Sequence, residues 1–516
     1  MVDLYLVTSM ISSLLLSCLI LRGAYSLWWR PKMMEKMMRS QGLMGRPYKF
    51  LLGDVKEFGQ SIIDARSKPM ELHHRIIPRT LPFAFQLIQS LGNMCFYWVF
   101  TSPKIIIRDP ELIKEVLTNK CGQFRQLPLA PSLRLTGGVS LLDGDEWAQH
   151  RSIINPAFHQ NKLKEMVPEF CTSCSDMIER WRNLVSHRGS VELDVWIELK
   201  NMTADVISRT AFGSSYNEGR RIFELQEEQL ELVMLAHKLP HIPGFRFMPT
   251  KDNLRRDQVD KEIKIMLREL IQKKEQAMKL GKCECKDLLG LMLKSSRQAQ
   301  TNTNGTNKIG LTIDEVIEEC KLFYFAGHET TSVLLTWTMV LLSMHPIWKN
   351  RAREEVREIC AREMPNYESI GQLKIVNMIL HEALRLYPPV AAQYRHLYNE
   401  TKLGKYTLPG GVDLILPTIF IHHDINVWGE DAEEFKPERF SDGVLKATNN
   451  QFAFFPFGWG QRICVGQNFA LMEAKIALAM ILQHFSFELS PSYKHSPFSF
   501  ITVQPQHGAP LILHQL

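Results

Sequence analysis

The chain lacks the marks of a nucleic-acid carrier, a secreted disulfide scaffold or a self-sufficient redox enzyme. Its charge is nearly balanced, 61 Lys and Arg against 55 Asp and Glu, for a net +6. That field is too weak to argue for nucleic acid, though it suits a membrane surface or an acidic protein partner. Ten cysteines are scattered without a disulfide-like framework, which favours a reducing compartment. The close pair Cys171 and Cys174 has no second Cys/His pair at metal spacing. It falls on a helical apolar pattern with Phe170, Met177 and Ile178, so it reads as core-facing. No flavin or nicotinamide fingerprint occurs, so electrons for any redox chemistry must come from outside. Internal repeats are also missing. What remains is a 516-residue chain, 45% hydrophobic and 22% charged, the composition of a folded globular protein large enough for one big domain or two ordinary ones.

The N-terminus differs from the rest. Leu4 to Leu21 carries no charge and as a helix would span about 27 Å, enough to cross a bilayer. Asp3 is the only charged side chain before it, whereas Arg22, Arg30, Lys32, Lys36 and Arg39 follow, with Trp28 and Trp29 at interface positions. Cleaved signal peptides carry their positive charge ahead of the apolar core. The positive-inside rule therefore places the chain beyond Arg22 in the cytosol. The expected organisation is a transmembrane anchor over 1–22, a basic, Gly/Pro-containing linker over 23–50, and a catalytic domain over 51–516. Short β-like runs (Phe96 to Phe100, Lys104 to Ile107) give way after Asp109-Pro110 to mostly helical patterning, so the body is mainly α with a smaller β-rich region. Asp252 to Lys282 reads as a long solvated amphipathic helix, and Ser295 to Lys308 as a polar loop.

Chemistry concentrates in Phe457-Gly-Trp-Gly-Gln-Arg-Ile-Cys464-Val-Gly466. Each neighbour of Cys464 has a task if the sulfur is an anionic ligand to iron. Gly460 and Gly466 let backbone approach a large flat group and adopt conformations closed to other residues. Phe457 keeps water from the sulfur, and Arg462 offers a fixed charge to a carboxylate. The apolar helix after Gly466 would point its N-terminus at the sulfur and favour thiolate.

A second motif lies inside a helix that starts at Thr312, with Glu315 completing a capping box, and stops before Pro346. Its middle reads Ala326-Gly327-His328-Glu329-Thr330-Thr331. A glycine and two threonines are poor helix formers, and accepting them there predicts a local widening where a ligand meets the backbone. Elsewhere, Glu382 and Arg385 share a helical face, Arg439 follows downstream, and Trp147 and Arg151 sit four apart on another expected helix.

The pattern Phe-x-x-Gly-x-Arg-x-Cys-x-Gly resembles the haem-thiolate signature of the cytochrome P450 family, and Ala-Gly-x-Glu-Thr resembles that family's oxygen-binding helix. The resemblance runs in the family's order from the anchor to the C-terminal part. It implies the P450 fold and haem b, its iron ligated by the Cys464 thiolate. Trp147, Arg151, Arg395 and Arg462 would reach the propionates, with Phe457, Gly460 and Gly466 shaping the cofactor loop. Thr330 would hydrogen-bond oxygen and Glu329 would belong to a proton relay. Glu382, Arg385 and Arg439 would lock the loop, and neither His150 nor His328 would ligate iron. Substrate contacts would come from Gln126 to Ser140, Phe323, Phe325, Val390 to Ala392 and Phe500 to Thr502. Leu239, Ile242, Phe245 and Phe247 read as an entry channel, a lipid contact or core. Finer likeness, in Phe454 to Ala470 and in Asp424 with Trp428-Gly429, is to the plant clan containing secologanin synthase and brassinosteroid and gibberellin hydroxylases. The implied function is hydroxylation of a hydrophobic small molecule, a terpenoid, steroid or isoprenoid-derived hormone. It would use O2 and electrons from NADPH through NADPH–cytochrome P450 reductase, at the endoplasmic-reticulum membrane among its lipids. The competing readings are a haem-thiolate isomerase or dehydratase and a non-catalytic haem-binding membrane protein. Glu329 and Thr330 argue against both.

Overall fold

A computed structural model describes residues 2–119, 121–128, 135–186, 189–214, 216–237, 250–281, 287–301 and 310–516. The expected positions Leu239, Ile242, Phe245 and Phe247, and part of the loop Gln126 to Ser140, lie outside the described residues. The chain divides into two compact units, one of residues 1–67, 81–127 and 392–417, the other of residues 68–80, 128–391 and 418–516.

In the first unit, alternating β-branched and aromatic residues build a six-stranded sheet. Its order is Met44–Gly45, Met94–Val99, Ser102–Ile107, Val412–Leu416, Gln393–Leu397 and Phe124–Arg125. Ser102–Ile107 runs parallel to Val412–Leu416, with Ile105 opposite Leu414. All five residues of Val412–Leu416 are buried, Asp413 included, because its carboxylate is paired with Lys104 and with His396 Nδ1 at 2.5 Å.

The N-terminal apolar segment is the helix Val2–Ala24. Among the described residues it belongs to the one helical run long and apolar enough to cross a membrane, with none of that apolar window buried, and it fits a single anchor. The segment expected as a linker is more ordered than its composition predicts. After one wide π-turn over Tyr25–Trp29 the chain forms the helix Arg30–Ser40. Pro31, Met34 and Met38 form its buried face, and methionine side chains adapt to irregular gaps.

The second unit is helical around Ile313–Met344, whose residues from Val316 to Leu342 are largely buried. Val195–Ile207, Leu288–Thr301, Lys374–Leu386 and Gln467–His484 pack against it. Thr312 caps it and Glu315 closes the capping box, as the sequence predicts. The charged stretch forms Lys251–Lys279, its buried stripe Val259, Ile263, Leu267 and Ile271 recurring every four residues. The stretch expected as a polar loop is helical at its start, because the helix Leu288–Thr301 continues through the serines at 295 and 296; Ser296 is itself buried, and residues 302–308 of that stretch lie outside the described residues. A C-terminal hairpin, Pro497–Ser499 with Val503–Pro505, is tied to the central helix where Trp337 Nε1 donates to the Val503 carbonyl at 2.6 Å. Trp337 also stacks on Tyr387 at 4.5 Å, and losing so large a buried ring costs about 3–5 kcal/mol.

Candidate active site

The Cys464 loop turns through two left-handed glycines, Gly458 at φ 75 and Gly460 at φ 70. The Cys464 N–H then donates to the Phe457 carbonyl at 2.9 Å, and Gly466 opens the helix Gln467–His484. Gly460 thus needs its conformational freedom. Gly466 does not, since its φ is −88. A Cβ there would make only ordinary contacts, 3.9 Å from Cys464 Sγ and from the Phe158 ring. Cys464 sits among protein atoms yet keeps accessible surface, whereas Cys171, Cys174, Cys320 and Cys360 of the same unit are all buried. Burial pushes its thiol up, against the Gly466 N–H and the Arg151 charge, which pull it down. The helix end alone therefore does not make a thiolate; a bound metal cation would.

Three of the four expected cofactor-binding cations and indoles are brought to this loop. The Arg462 guanidinium lies 4.9 Å over the Trp147 ring. It donates to Asp143 Oδ1 at 2.6 Å and to the Leu142 carbonyl. Arg151 shares the helix Gly144–Ile154 with Trp147; burial lowers its pKa while Cys464 raises it. Arg151 forms no ion pair among the described residues. A half-buried cation lacking a carboxylate, beside an accessible thiol, suits a group that brings its own carboxylates, as haem does. Arg395 belongs to the other unit, on the strand Gln393–Leu397, where it is buried and Nη1 donates to the Tyr394 carbonyl at 2.8 Å.

On the central helix the expected widening is not found; residues 313–344 are α-helical throughout. Gly327 serves packing instead. A Cβ there would lie 2.6 Å from Ile207 Cγ1, so glycine is what lets Val195–Ile207 press so closely. Thr330 Oγ1 donates back to the Ala326 carbonyl at 2.9 Å. Glu329, 2% exposed, accepts at Oε1 from Thr502 Oγ1 at 2.7 Å and from Gln504 Nε2 at 2.5 Å. Its Oε2 faces Lys200 Nζ at 3.9 Å and His328 Nε2 at 4.0 Å. His328 is buried, with Nδ1 at 2.6 Å from the Tyr324 carbonyl, and burial lowers its pKa. His150 likewise has a partner, with Nδ1 at 2.6 Å from Glu319 Oε1. Sequence reasoning missed Asp143, Lys200 and Gln504. Nothing in their local pattern marks them, because each acts across a large sequence separation.

The expected lock is assembled. Arg385 and Glu382, both fully buried, form two hydrogen bonds of 2.7 Å. Arg385 also donates to the carbonyls of His422, Ala432 and Glu434 at 2.9, 2.6 and 3.0 Å. Arg439 Nε stands 3.6 Å from Glu382, while its Nη1 and Nη2 donate to the Trp428 and Asp431 carbonyls. His422 Nε2 in turn accepts the Phe455 N–H at 3.1 Å. The network thereby reaches backbone two residues before Phe457.

Residues 78–509 match the family model for cytochrome P450. The chain is 53% identical over 492 residues to "Cytochrome P450 CYP72A616" of Paris polyphylla, covering 95% of both. It is 51% identical over 494 residues to "Cytochrome P450 72A15" of Arabidopsis thaliana, covering 95% of this chain and 94% of the relative. With "Cytochrome P450 72A13" of Arabidopsis thaliana it shares 50% over 512 residues, 99% of each. The chain belongs to the cytochrome P450 family of haem-thiolate monooxygenases, within a plant clan of that family. Haem with a cysteine thiolate on iron comes with that membership.

Proposed function

We propose that the protein hydroxylates a hydrophobic isoprenoid-derived molecule, a terpenoid, steroid or hormone. It uses O2 and electrons passed from NADPH by NADPH–cytochrome P450 reductase, on the cytosolic face of the endoplasmic-reticulum membrane. The observation that carries the site is the accessible Cys464 sulfur beside Arg151, Arg462 and Trp147. Haem, once bound, supplies the oxygen-activating chemistry, to which a thiolate ligand lends electron density. Cys464 would provide that ligand, in a loop turned by the bond from its N–H to the Phe457 carbonyl at 2.9 Å. Arg151, Arg462 and Trp147 orient the carboxylates of the group, and Asp143 holds Arg462 in position. Glu329 takes up and passes a proton at Oε2, because Oε1 is committed to Thr502 and Gln504. Lys200 bridges outward from Glu329 to the exposed Glu227 at 2.9 Å, a route by which solvent protons arrive. Burial keeps His328 neutral beside them.

The substrate assignment rests on the likeness of Phe454 to Ala470 to the plant clan. Metabolite profiling of the full chain with a reductase in a terpenoid-producing host tests it. An oxidised isoprenoid is expected, and NADPH consumption without any such product counts against the assignment. Changing Cys464→His should abolish the thiolate-type Soret band of the ferrous–CO adduct. Persistence of that band would remove Cys464 as the ligand.

A further inference from the structure

Two adjacent carboxylates on the central helix grip the backbone of a loop 180 residues earlier in the chain. Glu319 Oε1 accepts the Val139 N–H at 2.7 Å, and Glu318 Oε2 accepts the Gly137 N–H at 3.1 Å. The fit depends on two glycines. A Cβ on Gly137 would lie 2.8 Å from Glu318 Oε2, and one on Gly138 would lie 2.6 Å from Glu319 Oε2. Gly138 also turns at φ 69, a conformation that favours glycine.

The same carboxylate holds a second element. His150 Nδ1 stands 2.6 Å from Glu319 Oε1, and His150 lies between Trp147 and Arg151 on the helix Gly144–Ile154. Glu319 and His150 are 0% and 4% exposed. Glu319 Oε2 has no hydrogen-bond partner among the described residues. A buried carboxylate so sparsely supplied costs stability, and packing alone would favour an apolar side chain there. What the charge contributes is a pair of strong bonds that fix loop and helix to one point.

The far end of the loop is fixed as well. The Leu142 carbonyl and Asp143 Oδ1 accept from Arg462. The N–H groups of Leu141 and Leu142 both donate to the Gly138 carbonyl. Gly137 to Asp143 is thus a short span tied at both ends.

On the central helix, Glu319, Phe323, Ala326 and Thr330 recur at i, i+4, i+7 and i+11, so they share one face. Glu319 stands about 16 Å along that face from Thr330. An elongated ligand seated beside Thr330 reaches such a point, and a small one does not.

We propose that Glu319 is a positioning residue that preforms one wall of the substrate site. It holds Gly137 to Val139 in place for the far end of a long apolar molecule. The proposal rests on the monooxygenase site read above, with substrate beside Thr330. A loop already ordered costs nothing to order on binding, so the gain falls only on ligands that touch it.

The test titrates the full-length holoprotein with imidazole and with N-dodecylimidazole, following the Soret shift as the ring nitrogen reaches iron. In Glu319→Ala the long ligand should bind about ten-fold more weakly, the worth of one hydrogen bond to a charged group. Imidazole should bind as in wild type. Glu319→Gln keeps an acceptor for both donors and should restore the affinity for the long ligand. Gly138→Ala, with Glu319 intact, should reproduce the loss by displacing the loop. Hydrogen exchange over residues 135–142 should quicken in both alanine variants and stay slow in Glu319→Gln. Equal weakening of both ligands would reduce Glu319 to a structural support, and unchanged affinity for the long one would remove the wall. Either result overturns the proposal. A wild type in which imidazole gives no Soret shift defeats the monooxygenase site as well, whereas a normal shift with no split between the ligands defeats the wall alone.

Discussion

The loop that carries Cys464 is braced by a charge pair from which water is shut out, whereas Glu329 on the central helix is braced by neutral donors from a hairpin. Arg385 and Glu382 satisfy each other and spend the remaining guanidinium hydrogens on backbone carbonyls. Such a pair holds geometry and cannot change its protonation without leaving a bare charge inside the protein. Thr502 and Gln504 bind only one oxygen of Glu329, and the other keeps a lysine and a histidine at about 4 Å. One brace forbids proton traffic and the other leaves room for it. A ligand loop needs the first, and the relay proposed for Glu329 needs the second.

Breaking the first brace should have the largest effect. Arg385→Leu leaves the Glu382 carboxylate buried and unpaired, at a cost of about 3–5 kcal/mol, and the yield of haem-loaded protein should collapse. Next comes Glu329→Gln, which keeps shape but cannot pass a proton. NADPH-supported product formation should fall about 100-fold while the ferrous–CO spectrum stays as in wild type.

The loop brace should also weaken in acid. His422 Nε2 accepts the Phe455 N–H, so the folded site needs it unprotonated. Burial first, then His423 and Arg385, hold its pKa well below 6.5. An unfolded histidine takes its proton near 6.5. The stabilisation from neutral His422 is therefore complete above that pH and drains away as pH falls below it. Melting of the holoprotein between pH 7 and 5 should show this loss in wild type and less of it in His422→Gln. The smallest effect belongs to Thr502→Val, which removes one neutral donor from Glu329, worth about 1 kcal/mol. Turnover should drop only a few-fold, with haem content unchanged.

What the sequence disclosed and what it hid follow the reach of each interaction. The central helix, its Thr312 cap and the Glu382–Arg385 pair are local patterns, and all are where their spacing puts them. The partners of Glu329 come from residues 173 and 175 positions away, a distance at which periodicity carries no signal. Gly327 was legible as an anomaly but not as to cause, because Ile207 makes contact only in the folded state. The helix Arg30–Ser40 hid behind its basic composition, although Met34 and Met38, four apart on one face, were its only local trace.

Thr330 shows what a back-bonded hydroxyl means for a visitor. Its one proton is already spent on the Ala326 carbonyl of its own helix, so the side chain offers lone pairs and no donor. A guest that carries a hydrogen is welcomed at once. One that needs a hydrogen must first persuade Thr330 to let go of its own backbone, or look elsewhere for it. The hydroxyl thus faces any neighbour first as an acceptor, through a bond that has no ligand in it.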